Sequence, residues 1–448
     1  MVSYIDHILI GLYIISVLWT GLRVKATKSS TEYIFAARKL TVPAFVMTLV
    51  STWYGGILEV GRFTYNHGIT TILIFGVFYY IAALLYAFII VPQIKNSNFE
   101  TIPQAILKTF GKPAGLVAAL LILFISSPAP YVIILSEIIN FLYGIPSFYG
   151  ILICLILSIT YTIRGGFTSV IKTDIIQFSM MFIGFLFILF FLYIKYGGIS
   201  FITSSLPIEM LSFPGNLNWS YIMVWGFISL ITFIDPNFYQ RTIAGISNKD
   251  VQKGICFSIV FWFLFDLMSI SVALYAATII PNTNYSPYLE LTLNILPFFI
   301  KGLFIISMIS VVMSTIDSFL FISGCTFGKD IFPLLISTNK NNTIANIKLG
   351  ITISGIVSGI LCIYFNNALD IWYVSGSFAV SCIMIPLFCS LFKINLHFPL
   401  ICIITPGTIT LLWFWFGNNS IDPMYPGLIT STIFFVIFKE KKGFLNKT

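Results

Sequence analysis

The chain has 448 residues, of which 58% are hydrophobic and 9% charged, and its mean hydropathy is +0.97. That composition excludes a soluble enzyme and describes an all-α polytopic membrane protein with no soluble domain between its spans. The formal net charge of +8 is accounted for by basic residues that sort into alternate connections, so no nucleic-acid partner is implied.

At about 20 apolar residues per crossing, thirteen transmembrane helices are predicted, near residues 4–22, 42–65, 69–92, 114–142, 147–163, 174–196, 219–246, 254–280, 292–323, 348–365, 369–392, 399–417 and 424–438. Residues 1–6 hold no Lys or Arg, and Arg23, Lys25 and Lys28 come after the first span. That order is the reverse of a signal peptide, so the span is expected to be retained. The connections after the odd-numbered spans, with the carboxyl tail, hold 21 of the 24 Lys and Arg, among them Arg241, Lys249, Lys253, Lys439, Lys441, Lys442 and Lys447. Residues 197–218 and 281–298 hold none. The positive-inside rule then puts the amino terminus outside and the carboxyl tail in the cytoplasm, in a multi-pass protein of the cell (inner) membrane.

The second span carries Ser51-Thr52-Trp53-Tyr54-Gly55-Gly56-Ile57-Leu58-Glu59-Val60-Gly61-Arg62. An unbroken helix is the cheapest way through lipid, because it satisfies its own backbone, so Gly-Gly followed by two charges at this depth predicts a broken helix. The seventh span is predicted to break at Phe233-Ile234-Asp235-Pro236-Asn237, since Pro236 removes a donor and disfavours helix at Asp235. The two breaks are five spans apart. Paired interruptions at that spacing point to two inverted halves with a site at their interface.

The other intramembrane charges are candidates of a second kind. Glu59 and Arg62 are three apart, so they can neutralise each other or meet a solute. Asp266 lies near the middle of the eighth span, where an ionised carboxylate is costly. In the ninth span Val311-Val312-Met313-Ser314-Thr315-Ile316-Asp317-Ser318 brings hydroxyls and a carboxylate into an apolar helix. Ser and Thr hydroxyls often bond back to the preceding turn, yet with backbone carbonyls they are also hard ligands for a small cation. The seven cysteines have no metal-ligand spacing, the three histidines are scattered, and no acid–base pair or nucleophile motif emerges. The sequence therefore reads as no enzyme.

Gly165-Gly166-Phe167, Val170, Thr173-Asp174 and Gln177, together with Glu32-Tyr33-Ile34-Phe35-Ala36-Ala37-Arg38-Lys39, Gln240-Arg241-Thr242-Ile243-Ala244 and Met313-Ser314-Thr315, resemble the sodium:solute symporter family over residues 30–332. The resemblance implies a five-plus-five inverted repeat of the LeuT type with broken second and seventh helices. It implies one transmembrane transporter domain over residues 1–448: residues 1–41 an extra first span and cytoplasmic loop, 42–196 the first repeat, 219–392 the second, and 399–448 two accessory spans and the tail. It implies sodium as co-transported ion, bound by the carbonyls of Ser51, Tyr54 and Val311 and the hydroxyls of Ser314 and Thr315, with Asp174 on the exit route. The substrate pocket is expected at Trp53, Gly55, Gly56, Glu59, Trp225 and Asp235. Relatives that transport proline have a carboxylate where this chain has Trp53, so their substrate does not carry over.

The expected function is sodium-coupled symport of a small polar organic solute (amino acid, amine, sugar or carboxylate) into the cytoplasm. An acid at position 235 suits an amine or a proton-sensitive inner gate, whereas Arg62 suits a carboxylate. A proton-coupled symporter using Asp235 or Asp266, and a transporter-like sensor acting through a separate partner, remain alternatives. No obligatory protein partner is evident.

Overall fold

The computed structural model describes residues 2–440 other than 26, 28, 284, 337–342, 366 and 418–420. Lys28, Lys441, Lys442 and Lys447, expected among the cytoplasmic charges, lie outside the described residues. Among the described residues ten helices are long and apolar enough to cross a membrane, or eleven when one bent pair is counted as a span.

The first helix, α1, is Tyr4–Leu22. The bent pair is α2, Val42–Trp53, with Pro43 in its first turn, and α3, Ile57–His67; their axes differ by 60° across the turn Tyr54–Gly56. The break has a packing cause. A Cβ on Gly55 would stand 2.5 Å from the Tyr131 ring and 2.7 Å from Thr315, so side chains from two other helices occupy the space that a continuous helix would fill. Next come α4, Leu73–Lys95, then α5, Lys112–Ile125, and α6, Ala129–Tyr143. The expected single span over 114–142 is one candidate crossing, Lys112–Tyr143, whose helix is interrupted at Ser126–Pro128, because Pro128 lacks an N–H and restricts Ser127.

Helix α7, Ser147–Tyr196, runs for 50 residues with one non-helical residue, Gly166, at φ 58° and ψ −145°. Fifty residues rise about 75 Å, more than twice a hydrocarbon core. A Cβ on Gly166 would lie 2.5 Å from the Tyr33 carbonyl oxygen, so both the positive φ and the close approach require glycine there. The seventh predicted span is α8, Trp219–Ile228, a 3₁₀ segment Ser229–Phe233, and α9, Pro236–Ala244. Pro236 opens α9 and the Asp235 carboxylate caps it, accepting the Asn237 amide at 2.7 Å.

Helix α10 is Asn248–Ile279 and α11 is Ile300–Cys325, the latter continuing through a π-helical segment to Leu335. The predicted start at residue 292 is too early. A separate short helix, Pro287–Asn294, precedes a break at Pro297 and at Phe299, whose φ is 70°. The start of α11 is capped from α1: Asp6 accepts the amides of Phe299 at 2.9 Å and Gly302 at 3.0 Å. At the opposite end of α1, Ser169 of α7 donates to the Gly21 carbonyl at 2.8 Å. The remaining helices are α12, Thr343–Tyr364, α13, Ala368–Leu391, α14, Pro399–Phe416, and α15, Met424–Phe438, which at 15 residues is shorter than a usual crossing.

Burial separates scaffold from periphery. The most apolar window of the α11 span is 94% buried, against 28% for α1 and α14. The helix with the hydroxyl run is therefore the core of the bundle, and residues such as Trp19, Leu186 and Phe190 present the apolar outer surface that lipid would cover.

Candidate functional site

Helix α2 ends where α11 is most polar. The last carbonyls of a helix need partners from outside it, and Thr315 supplies one: its hydroxyl donates to the Thr52 carbonyl at 2.8 Å, with the Val311 carbonyl of its own helix at 3.0 Å. Ser314 lies 2.9 Å from the Ser51 hydroxyl and donates to Asp174 at 2.6 Å. Its single hydrogen serves one of these at a time. The other Asp174 oxygen accepts from Thr48. Ser51, Ser314 and Asp174 are fully buried and Thr315 is nearly so. Of the predicted cation ligands, the structure thus brings Ser51, Val311, Ser314 and Thr315 together beside Asp174. Tyr54 opens the turn between α2 and α3, and its phenol donates to the Trp262 carbonyl at 2.8 Å. The cluster consists of hydroxyls, carbonyls and one carboxylate, the donor set of a small hard cation.

Arg241 corrects the sequence reading. It was expected as a cytoplasmic loop charge, but it lies on α9 with no exposure and reaches into this cluster. Its Nη2 is 3.6 Å from Asp174, 2.9 Å from the Thr48 hydroxyl, 2.8 Å from Thr52 and 2.9 Å from Ser318, while Nη1 is 3.3 Å from the Asn237 amide oxygen. Burying a guanidinium costs several kcal/mol unless charge and hydrogen bonds offset it, and these partners do so. The signal in the sequence was Pro236 at the N1 position of a helix, which carries residues 237–244 inward instead of out into a loop.

Trp53, Gly56, Glu59, Trp225 and Asp235 line one cavity of about 180 Å³. Gly55 lies apart from that lining, against Tyr131 and Thr315. Thr52 belongs to both places: its side chain lines the cavity and its carbonyl receives Thr315. Tyr79, Tyr131, Asn237 and Trp372 also line it and were not singled out from the sequence, where they look like any aromatic or polar residue of a span. A second cavity, of about 690 Å³, is bounded by Glu59, Arg62, His67, Glu137 and Asn367. Arg62 pairs with both Glu59 and Glu137, so these two acids share one base between the cavities. Asp266 accepts from Tyr80, and Asp317 from Tyr161. Neither acid lines the central cavity.

Residues 33–395 match the model of the sodium:solute symporter family. The chain belongs to that family. Membership gives its class: a multi-pass membrane transporter with sodium as co-transported ion. Two characterised relatives are a sodium/glucose cotransporter of Vibrio parahaemolyticus, 24% identical over 76% of this chain and 71% of the relative, and a sodium/pantothenate symporter of Haemophilus influenzae, 28% identical over 38% of this chain. The second match spans only 37% of that symporter's length. Among solved structures, a Na⁺-coupled sialic acid symporter in a substrate-bound outward-open state superposes with a TM-score of 0.82 at 18% identity, covering 97% of this chain and 96% of the other. A manganese transporter of Eremococcus coleocola superposes at 0.52 with 12% identity, covering 93% of this chain and 95% of the other. At these identities the two structures speak for the fold.

Proposed function

We propose that the protein is a sodium-coupled symporter that brings a small polar organic solute into the cytoplasm by alternating access. The observation that carries this reading is the Ser314–Thr315 hydroxyl pair of α11 set against the end of broken α2, with Asp174 at 2.6 Å from Ser314. Sodium, as a substrate, would take its oxygens from Ser51, Tyr54, Val311, Ser314 and Thr315, and Asp174 would receive it on the way to the cytoplasm. Ser314 can offer the ion a lone pair of its oxygen while its hydrogen stays on Asp174. The solute would occupy the cavity at Trp53, Gly56, Glu59, Trp225 and Asp235. Gly55 contributes by letting Tyr131 and Thr315 approach the break.

The proposed architecture has thirteen spans, with α7 divided at Gly166 into two crossings and α15 as the last. The inverted repeats are 42–196 and 219–392, the first span precedes them within 1–41, and two accessory spans lie in 399–448. With the amino terminus outside, the 690 Å³ cavity opens outward, while the corresponding inner cavity at Ile34, Glu100 and Gln240 holds about 30 Å³, as an outward-facing form requires. Sodium bound between α2 and α11 favours that form, and Thr52, shared by ion cluster and cavity, passes the effect to the solute. Coupling is reciprocal, so the solute tightens sodium by the same factor. Each charge moved inward gains about 2.3 kcal/mol per 100 mV of membrane potential.

The test is solute uptake into proteoliposomes with external sodium or potassium. Sodium-dependent uptake that disappears in Ser314→Ala/Thr315→Ala is expected. Equal uptake in both salts, or an unaffected double variant, would overturn the assignment.

A further inference from the structure

The wall of the central cavity is unusual in its charge. Among its described lining residues it has two carboxylates, Asp235 and Glu59, and no Lys, Arg or His. Glu59 is paired with Arg62. Asp235 stands differently: one oxygen accepts the Asn237 amide at 2.7 Å, and among the described residues none forms an ion pair with it. The guanidinium that interacts with it, Arg241, spends its hydrogen bonds on Thr48, Thr52, Ser318 and Asn237 and lies 3.6 Å from Asp174.

Much of the rest of the wall is aromatic. Trp53 packs on Tyr79 with ring centroids 5.0 Å apart, and Tyr131 on Trp372 at 5.5 Å. Such faces attract a cation, more strongly where water is excluded. The Trp225 indole N–H is buried without a hydrogen-bond partner, which costs free energy until an acceptor meets it. Of the hydrogen-bonding side chains on this wall, the Thr52 hydroxyl and the Asn237 amide oxygen already serve Arg241. With Asp235 on the wall and no Lys, Arg or His among its described lining residues, an anion is disfavoured and a cation attracted. About 180 Å³ is roughly the space of six water molecules, which suits a compact solute.

From this we infer that the transported solute is a small organic ammonium ion, its charged nitrogen at Asp235 between the aromatic faces and a hydrogen-bond acceptor turned to the Trp225 indole. The inference deepens the symport reading above and rests on it. It also gives the two cations separate acids: sodium answers Asp174, and the ammonium answers Asp235.

Trp53, Trp225 and Trp372 line the cavity, so intrinsic fluorescence of the purified full chain reports occupancy. The probes are choline and ethanolamine, the neutral carbon isostere 3,3-dimethylbutan-1-ol, and the anion 3,3-dimethylbutanoate, each titrated in sodium and in potassium chloride. The expected result is saturable binding of an ammonium probe at least about tenfold tighter than the isostere, as a charge-assisted contact implies. Asp235→Asn removes that preference while retaining stabilisation by sodium. Equal binding of isostere or anion, no saturable ammonium binding, or an ammonium preference intact in Asp235→Asn would each overturn the inference. The isostere comparison needs no variant, so a poorly folding Asp235→Asn leaves it decisive. Ammonium preference without a sodium effect would uphold the inference and refute coupling. Sodium stabilisation with no ammonium preference would do the reverse.

Discussion

Replacing Arg241 with Met tests whether the buried guanidinium is the counter-charge that lets Asp174 sit in the core. Met keeps much of the apolar stem and removes the head group. Asp174, fully buried, would keep two hydroxyl donors, Ser314 and Thr48, and lose the cation 3.6 Å away. At that separation and an effective dielectric of about 20, the lost attraction is about 4–5 kcal/mol. Breaking a buried pair by removing one partner costs about 3–5 kcal/mol, so the two estimates agree. The assay is denaturation of wild type, Arg241→Met, Asp174→Asn and the double variant in detergent, in potassium and in sodium. Arg241→Met should lose about 3–5 kcal/mol in potassium, and the double variant should be more stable than Arg241→Met, because no charge is left stranded. Sodium, the remaining cation for Asp174, should stabilise Arg241→Met more than wild type. Wild-type stability of Arg241→Met, or a double variant whose loss equals the sum of the single losses, would refute the reasoning.

Ser314→Ala should raise the half-saturating sodium concentration for uptake at least about tenfold, since it removes a hydroxyl that contacts Asp174 and Ser51. Gly55→Ala should lower stability by about 1–3 kcal/mol through overpacking and weaken sodium binding with it, because the added methyl displaces Thr315, 2.7 Å from where it would stand; a variant that binds sodium normally contradicts the proposed geometry. Glu100, in the connection between α4 and α5, gives a pH prediction. Burial opposes its charge, but Lys329 and Arg38 together hold its carboxyl below the ordinary 4.5. A depressed folded value means that the stabilisation is present above about pH 4.5 and is lost as pH falls through the lower folded value. Glu100→Gln should therefore flatten the acid limb of a stability-versus-pH curve, and an unchanged limb would assign that limb to other acids.

The sequence showed the breaks and concealed the partners. Gly55-Gly56 and Asp235-Pro236 are local signals with a backbone cause, and both interruptions stand where expected, at Tyr54–Gly56 and before α9. Arg241 was misplaced because charge alone does not tell a loop from a helix packed inward; its environment is made by Thr48, Asp174 and Ser318, 193, 67 and 77 residues away. The interruption of the helix at Ser126–Pro128, within a single span, was hidden inside an apolar run that satisfied the length criterion. Cavity aromatics were illegible for a related reason. Trp19 is 61% exposed on the outer surface while Trp225 is 7% exposed at the cavity, yet both sit in apolar stretches of similar composition. The family-specific residues Ser314 and Thr315 were legible because two adjacent hydroxyls in so apolar a helix are rare enough to notice, and Asp317 beside them found its partner, Tyr161, only in three dimensions.

The two ends of α1 are fastened to different helices, Asp6 to the first amides of α11 and Gly21 to Ser169 of α7. A rod pinned at both ends behaves as a strut. It fixes the distance between the start of the core helix and the kinked region of α7, on opposite faces of the bundle. In the alternating access proposed above, α1, α7 and α11 would travel together as one frame, and the broken helices α2–α3 and α8–α9 would move against it.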